Sequence, residues 1–200
     1  MLYIPLSHET DLIAFKEGRN FLTLLIPELS MFPEIQFEIR TKSAVADFFK
    51  TVPVAHNITY AFSVAPDEII SAYEYKTPNL KARLSAVQAC ISAGHSVRLC
   101  FDPVFIEPGT QELYKKFFIH VFNTIPPHKI KDTSYGFFRM PKKLFRYCAG
   151  IHNELYLYHA PYETDGDDIT YQAVLRKKIR TEHATLLENY FPSDKIFFLD

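Results

Sequence analysis

The sequence has few of the residues on which common nucleotide, metal and hydrolase sites depend. Only 6 of its 200 residues are glycine. Neither a GxGxxG turn nor a P-loop lysine pattern occurs, which argues against a nucleotide-cradling loop. The GxSxG elbow of hydrolases is also missing. The 8 histidines form no helical HExxH pattern and no HxH pair, so they predict no histidine metal site. His8 and Glu9 could gather a metal with Asp11, although a solvated loop is the plainer interpretation.

Charge, cysteine content and hydropathy exclude further classes of protein. With 22 Lys and Arg against 23 Asp and Glu, the chain lacks the basic field that drives non-specific binding to phosphate backbones, so any nucleic-acid contact must be local. The 3 cysteines, Cys90, Cys100 and Cys148, are odd in number and widely spaced, which predicts reduced, buried thiols. No apolar run reaches the length of a membrane span, and no signal-peptide pattern occurs. We therefore expect a cytoplasmic protein with no membrane partner.

Strand-like and helix-like segments alternate along the chain. Strands are predicted to start near residues 2, 35, 58, 96 and 130, with one more at residues 195–199. No Gly/Ser-rich linker divides the chain, so one domain over residues 1–200 is the simplest organisation. Right-handed crossovers between such strands imply a parallel sheet. An α/β fold with five or six strands fits a partial parallel (β/α) barrel better than a closed eightfold one.

The clearest predicted helix begins after Thr77. We expect Thr77 as its N-cap, Pro78 as its first residue and Gly94 as a left-handed terminator. Elsewhere the pattern predicts a helix within residues 21–29, capped upstream through Thr10 or Asp11, a polar loop at residues 161–168 and a long helix at residues 169–190.

Polar side chains follow three successive strands at the points where they end. One strand ends near Lys42, the next at Ser63 and the third at Asp102. Because the carboxyl ends of parallel strands meet at the edge where ligands bind, these residues predict a site there. Lys42 could meet a carboxylate or a phosphate. The plainer interpretation is that Lys42 points into water, that Ser63 caps a helix and that Asp102 is a turn residue.

A basic and aromatic stretch follows the predicted fifth strand. Its basic members are Arg139, Lys142, Lys143 and Arg146, which interleave with Phe137, Phe138, Phe145 and Tyr147. Such a mixture can contact a nucleic-acid backbone and stack on bases. A solvated basic face over buried aromatic side chains is the plainer alternative.

Several short motifs, taken together, resemble the spore photoproduct lyase family of radical S-adenosylmethionine proteins. They are TKSA at 41–44, FSVAP at 62–66, YEYKTP at 73–78, Arg83, Gly94 and FDP at 101–103, in the family's order and nearly at its spacing. SYG at 134–136 and FRMP at 138–141 resemble a later family segment. The resemblance implies a partial (β/α)6 barrel that holds S-adenosylmethionine and a [4Fe-4S] cluster, and radical chemistry on a DNA photoproduct.

The resemblance also implies roles for individual residues. Thr10, Lys42 and Ser63 match positions at the cofactor, where Lys42 would contact the carboxylate of S-adenosylmethionine. Asp102 and Arg139 are the candidate substrate contacts.

The sequence departs from the family at the cluster. A CxxxCxxC loop is required, and Cys90, Cys100 and Cys148 cannot supply it. In the family this loop follows the first barrel strand, upstream of everything matched here. The family's cysteine hydrogen donor is also replaced by the stretch SHET at 7–10, and Ala65 replaces its asparagine.

Two interpretations therefore stay open. The chain is either the C-terminal portion of a radical enzyme whose cluster-bearing segment lies elsewhere and which is inactive alone, or a cluster-free barrel that binds a ligand or partner without chemistry. Lack of a first strand would expose a sheet edge, which predicts association with an upstream chain or with a second copy.

Overall fold

The computed structural model describes residues 2–7 and 10–199, and its strands form two sheets. The strands are β1 (Leu2–Pro5), β2 (Ile35–Thr41), β3 (Ile58–Ser63), β4 (Ser96–Val104), β5 (Asp132–Phe137), β6 (Arg139–Pro141), β7 (Tyr162–Asp165), β8 (Asp168–Tyr171) and β9 (Ile196–Leu199). The helices are α1 (Lys16–Leu29), α2 (Asp67–Tyr73), α3 (Leu80–Ser92), α4 (Thr110–Thr124), α5 (Lys142–Ile151) and α6 (Ala173–Leu187).

Six of the strands form one parallel sheet in the order β1-β2-β3-β4-β5-β9. The sheet is strongly curled, as the contacts of Arg98 on β4 show. Its guanidinium reaches residues on both edge strands. It donates to the hydroxyl of Tyr3 on β1 at 2.7 Å and lies 5.3 Å from the ring centre of Phe197 on β9. Neighbouring strands are about 4.8 Å apart, so a flat sheet would hold Tyr3 about 14 Å away. The predicted partial barrel of five or six parallel strands is confirmed.

Period-two alternation decides which side chains face the inside of the curl. On β2, Phe37 and Ile39 are buried towards the helices, while Glu38 and Arg40 line the concave face. The same alternation on the other strands buries Phe62, Leu99 and Tyr135 in the apolar core on the convex side. The concave face is thereby left polar, and it is the face that holds the cleft described below.

Several predicted boundaries were wrong. Helix α1 starts at Lys16 rather than near residue 21, and the carboxylate of Asp11 caps the preceding turn, accepting from the amides of Ile13 and Ala14 at 3.1 and 3.2 Å. Asn79, not Thr77, is the N-cap of α3, and its side chain accepts from the amide of Ala82 at 2.9 Å.

The largest error concerns the predicted loop and long helix of residues 161–190. This stretch contains the antiparallel hairpin of β7 and β8, and α6 begins only at Ala173. Strand β8 also pairs with β6, which completes a three-stranded antiparallel sheet. Each strand of this hairpin has only 4 residues, and several of them are polar. The alternation of apolar and polar residues that marks a strand is therefore too short to recognise in the sequence.

Other features agree with the sequence. Gly94 ends α3 at a φ of 87°, in the left-handed region where glycine carries no steric penalty. Cys90 and Cys100 are free, buried thiols, as predicted, whereas Cys148 is free but only partly buried, so the prediction of burial was wrong for Cys148. Across residues 2–7 and 10–199, no helix combines the length and the apolarity needed to cross a membrane.

Candidate functional site

An open cleft of about 490 Å³ lies within the curl of the parallel sheet. Side chains from all six of its strands line it, together with Arg139 on β6. Lys42, Ser63 and Asp102 all contribute to its wall, and they come from the carboxyl ends of β2, β3 and β4. In the structure, the polar strand ends thus meet at one edge of the sheet, as expected.

A network of buried charges forms the floor of the cleft. The Glu38 carboxylate accepts from Arg98 at 2.7 Å and from Arg40 at 3.2 Å, and it also accepts a short hydrogen bond from Tyr3. Arg98 also donates to the Asp132 carboxylate through two nitrogens, one of them at 2.9 Å. Burial acts to lower the pKa of Arg98, but its bond to Asp132 and the charge of Glu38 outweigh burial and raise it. The Arg98 guanidinium therefore stays charged across the physiological range.

Asp102 is joined to this floor through Arg40. The Asp102 carboxylate accepts from Arg40 at 3.0 Å, and the Asp102–Pro103 peptide bond is cis. Gly136 on β5 lets the carboxylate approach, because a Cβ at that position would lie 3.0 Å from an Asp102 oxygen. Asp102 is therefore an ion-paired wall residue of the cleft, not only a turn residue.

The backbone around Lys42 is held by Asp11. The Asp11 carboxylate accepts from the hydroxyl of Thr41 at 2.9 Å and from the amide of Lys42 at 2.7 Å. The Thr41 hydroxyl in turn accepts from the amide of Ser43 at 2.8 Å. Thr41 therefore stabilises the turn, and the Lys42 side chain is left available for another contact.

The ammonium of Lys42 lies 3.6 Å from the Glu74 carboxylate, and its side chain is 37% exposed. Glu74 is buried and has a closer partner, since Arg83 makes a short ion pair with its other oxygen. Arg83 also donates to the carbonyls of Ser63 at 3.1 Å and Pro78 at 2.9 Å. The YEYKTP motif and Arg83 thus form a buried scaffold that fixes the end of β3 beside Lys42.

The three residues matched to cofactor positions are brought together. Thr10, Lys42 and Ser63 line a second pocket of about 170 Å³, which shares Arg40 and Ser7 with the main cleft. Thr10 is exposed and Ser63 is buried. The two candidate substrate residues, Asp102 and Arg139, line the main cleft instead.

A metal or cluster site has no support in the described residues. Between residues 2–7 and 10–199, no three His, Cys, Asp or Glu side chains are grouped so as to hold a metal ion. Cys90, Cys100 and Cys148 lie on α3, β4 and α5. Burial raises the pKa of the Cys100 thiol to about 11, so this thiol is protonated. The residues present do not fit a [4Fe-4S] cluster. The suggested grouping of His8 and Glu9 with Asp11 involves two residues outside the described ranges.

Sequence reasoning missed the charged floor of the cleft. Its members Tyr3, Glu38, Arg40 and Arg98 lie inside strands and Asp132 is the first residue of β5, so none of them follows the carboxyl end of a strand. The signal was present as period-two alternation, with Gln36, Glu38, Arg40 and Lys42 separated by apolar residues or threonine. Buried parallel strands are usually apolar on both faces, so charges at every second position indicate a polar concave surface.

Fold and site together define an open parallel (β/α) barrel with a polar cleft at the carboxyl ends of its strands. Spore photoproduct lyase has this fold. Its structure complexed with dinucleoside spore photoproduct matches with a TM-score of 0.77 at 16% identity, covering 98% of this chain and 60% of that one. A double mutant of the lyase with bound AdoMet and dinucleoside spore photoproduct matches with a TM-score of 0.75, at the same identity and coverage.

These matches confirm the motif-based resemblance at the level of the fold. The chain spans 60% of the length of the lyase structures that it matches. No protein-family model and no curated protein sequence matches the chain.

Proposed function

We propose that residues 1–200 form a single incomplete barrel domain, the downstream portion of a spore photoproduct lyase-like radical S-adenosylmethionine protein. The carrying observation is the pocket that unites Thr10, Lys42 and Ser63 in a fold shared with that lyase. A lyase of this fold has been seen with bound AdoMet, and others with a dinucleoside spore photoproduct. The family chemistry is radical-based DNA photoproduct repair, in which this chain would contribute the cofactor and substrate walls.

The chemistry of Lys42 suits the carboxylate of S-adenosylmethionine. Its 3.6 Å contact with Glu74 is longer than a hydrogen bond, so the ammonium can turn to a ligand at small cost. Glu74 keeps Arg83 as its partner when Lys42 moves. The hydroxyls of Ser63 and Thr10 offer donors and acceptors to the polar groups of the same ligand.

Reductive cleavage of the cofactor needs a cluster that the residues of this chain do not fit. We propose that a separate cluster-bearing segment docks at β1, the strand at one edge of the parallel sheet. Leu2 on β1 is exposed, and α1, the next helix along the chain, carries the exposed Phe21 and Leu24, with Leu24 76% exposed. An open strand edge beside apolar side chains favours addition of a further strand and helix. The alternative to a cluster-bearing segment is a second copy of this chain bound at the same edge.

Calorimetric titration with S-adenosylmethionine tests the cofactor site. We expect binding that Lys42→Ala weakens at least tenfold, because loss of a charge-assisted contact to a carboxylate costs about 1.5–3 kcal/mol. Lys50→Ala is the matched control, since Lys50 pairs with the exposed Asp47 on the surface. Unchanged affinity in Lys42→Ala, or no binding at all, would remove the proposal.

A second candidate is a cluster-free barrel that binds a ligand or partner without chemistry. The absence of a grouped cysteine set among residues 2–7 and 10–199 favours it. Anaerobic iron and sulfide reconstitution, alone and with an upstream CxxxCxxC segment, separates the two. Cleavage of S-adenosylmethionine in the mixture supports the radical enzyme. Cofactor binding with no cleavage in either sample supports the cluster-free barrel.

A further inference from the structure

Two neighbouring residues of β5 bury a hydroxyl group that has no hydrogen-bond partner. Thr133 is 0% and Ser134 is 2% exposed, and neither hydroxyl is paired within the part of the chain that the structure describes. Most buried polar groups in proteins are paired, because an unpaired one lowers stability. An unpaired hydroxyl by itself does not indicate a ligand, so the position of each one in the fold decides.

The two hydroxyls lie on opposite faces of the parallel sheet. Thr133 pairs in register with Leu99 on β4 and shares its apolar convex face. Ser134 pairs with Cys100 and lines the main cleft on the concave face. Burial raises the pKa of the Cys100 thiol and the neighbouring Ser134 lowers it, but the geometry of the two side chains gives no hydrogen bond. Of the two hydroxyls, that of Ser134 is the one beside a ligand in the cleft.

A change of rotamer brings the Ser134 hydroxyl into the cleft. A serine side chain has three staggered positions, and Ser134 gives up no hydrogen bond when it leaves its present one. The next residue of β5 on the same face, Gly136, has no side chain to block it. Turning towards a ligand therefore costs little, and it gains a hydrogen bond that the unliganded protein lacks.

An unused acceptor lies near this hydroxyl. The Asp102 carboxylate gives its Oδ2 to Arg40, whereas its Oδ1 has no hydrogen-bond partner among residues 2–7 and 10–199. Oδ1 would lie 3.0 Å from a Cβ on Gly136, and Gly136 follows Ser134 by two residues, about 6.6 Å along the strand. A donor and an acceptor on one edge of a planar ring can therefore reach both groups.

The surroundings of Ser134 are otherwise apolar or already paired. Phe197 on β9 pairs in register with Ser134 and is 45% exposed. The charges next to it along β4 and β5, on Arg98 and Asp132, are bound to each other. A ligand ring in this part of the cleft therefore meets apolar side chains together with the Ser134 hydroxyl and the free Asp102 oxygen.

We propose that Ser134 determines specificity in the main cleft by donating to a ring carbonyl of the ligand, while Asp102 accepts from the adjacent ring N–H. A carboxylate can only accept, so the N–H goes to Asp102 and the carbonyl to Ser134. A ring with both groups on one edge is a cyclic amide or imide, as in a pyrimidine base. The inference rests on the proposed function, because it names contacts of the substrate in the same cleft.

Ligand-observed NMR titration with thymidine and N3-methylthymidine tests the proposal. Thymidine has an imide edge, and methylation removes its ring N–H. We expect thymidine to bind the wild type and the methylated probe to bind about fivefold more weakly or worse. Ser134→Ala should weaken thymidine binding about fivefold, because one hydrogen bond contributes a net factor of about 2 to 12.

Thr133→Val is the matched control, because it removes an equally buried hydroxyl from the other face of the same strand. It should bind thymidine as the wild type does. Urea denaturation checks both variants. Neither loses a hydrogen bond, so each should unfold at the same urea concentration as the wild type or at a higher one. Weaker binding without weaker folding identifies a ligand contact, which a purely structural role of Ser134 would not give.

Four outcomes would overturn the proposal. They are no binding of thymidine to the wild type, equal binding of the two probes, wild-type affinity in Ser134→Ala, and equal weakening in Thr133→Val. The last would show that loss of any β5 hydroxyl disturbs the cleft.

Titration of the wild type with S-adenosylmethionine separates this inference from the proposed function. Ser134 does not line the second pocket, which holds the proposed cofactor contacts. Thymidine binding that depends on Ser134, in a chain that does not bind S-adenosylmethionine, counts against the proposed function alone. Cofactor binding without thymidine binding counts against this inference alone.

Discussion

The two faces of the curled sheet bury very different side chains, although the same strands supply both. The convex face is apolar and aromatic, with Phe101 packed 5.0 Å from Phe118 and Tyr135 packed against His183. The concave face carries the ion pairs of Arg98 with Glu38 and Asp132. Alternate residues of one strand therefore serve two environments.

The comparison separates what stabilises this fold from what shapes its site. Burying a large apolar side chain contributes about 1.5–3 kcal/mol, so the convex face is the main source of stability. A buried ion pair contributes little net stability compared with apolar residues of equal size, but removal of one partner is strongly destabilising. The concave face is thus a polar surface maintained by mutual pairing, and each of its charges depends on the others.

The largest expected effect comes from breaking the concave network. Arg98→Met removes the cation that pairs with Asp132 and with Glu38, while Arg40 stays beside Glu38. We expect a loss of about 3–5 kcal/mol in the free energy of unfolding. Urea denaturation measures it. Arg98→Met combined with Glu38→Gln and Asp132→Asn should recover most of the loss. A loss below about 1 kcal/mol in the single variant would show that the network is not coupled as described.

The second prediction concerns a buried polar pair, His183 and Tyr135, within the apolar convex face. The Nδ1 of His183 lies 2.7 Å from the Tyr135 hydroxyl, and burial lowers the pKa of His183 to about 4. The unfolded chain binds this proton near pH 6.5 and the folded chain only near pH 4. Stability is therefore complete above about pH 6.5 and falls as the pH is lowered to 4, by up to about 3 kcal/mol.

Urea denaturation of the wild type and His183→Gln at several pH values measures this slope. The variant should lose the part of the pH dependence that lies between 6.5 and 4. Identical pH dependence in the two proteins would show that His183 is not the group responsible.

The third prediction concerns the approach of β5 to β4 at the cleft wall. Gly136→Ala would place its Cβ 3.0 Å from an Asp102 oxygen and 3.2 Å from the Leu199 Cβ. We expect a loss of about 1–2 kcal/mol from this overpacking. Gly150→Ala in α5 is the control, because nothing lies within 4 Å of its Cβ and alanine favours the helix. Equal thermal stability of the two variants would contradict the close approach.

The smallest effect lies outside both faces, at Lys76 in the turn before α3. Lys76 has a φ of 59°, a left-handed conformation that penalises residues with a Cβ. Lys76→Gly should raise the free energy of unfolding by about 1 kcal/mol. The same exchange in the exposed middle of α4, Lys116→Gly, should lower it by about 1 kcal/mol. Thermal melts of the pair check the opposite signs, and a loss in Lys76→Gly would contradict the strain.

Much of the fold could be predicted from local pattern. The strands of the parallel sheet, the helix before Gly94 and the terminator Gly94 itself all follow from short-range composition and turn chemistry. The β7 and β8 hairpin could not be predicted in the same way. Strands of 4 residues give too few alternations to stand out from a polar loop, and their pairing with β6 is a long-range event.

Part of the candidate site could also be predicted from the local sequence pattern. Lys42, Ser63 and Asp102 stand at strand ends, and parallel pairing brings strand ends together. Arg40 and Arg98 are not at strand ends, so their roles depend on the curl of the sheet, which no local pattern encodes.

The sequence by itself determined the alternation of strands and helices, the polar carboxyl ends and the absence of a closely spaced cysteine motif, because each depends on neighbours along the chain. Only the tertiary structure decided that Arg98 reaches Tyr3 and Asp132, that Arg83 anchors Glu74 beside Lys42, and that Lys142 at the start of α5 contacts the turn of the β7 and β8 hairpin. These contacts join residues distant along the chain. They follow from how far the sheet curls and where its connections cross, which are properties of the packed whole.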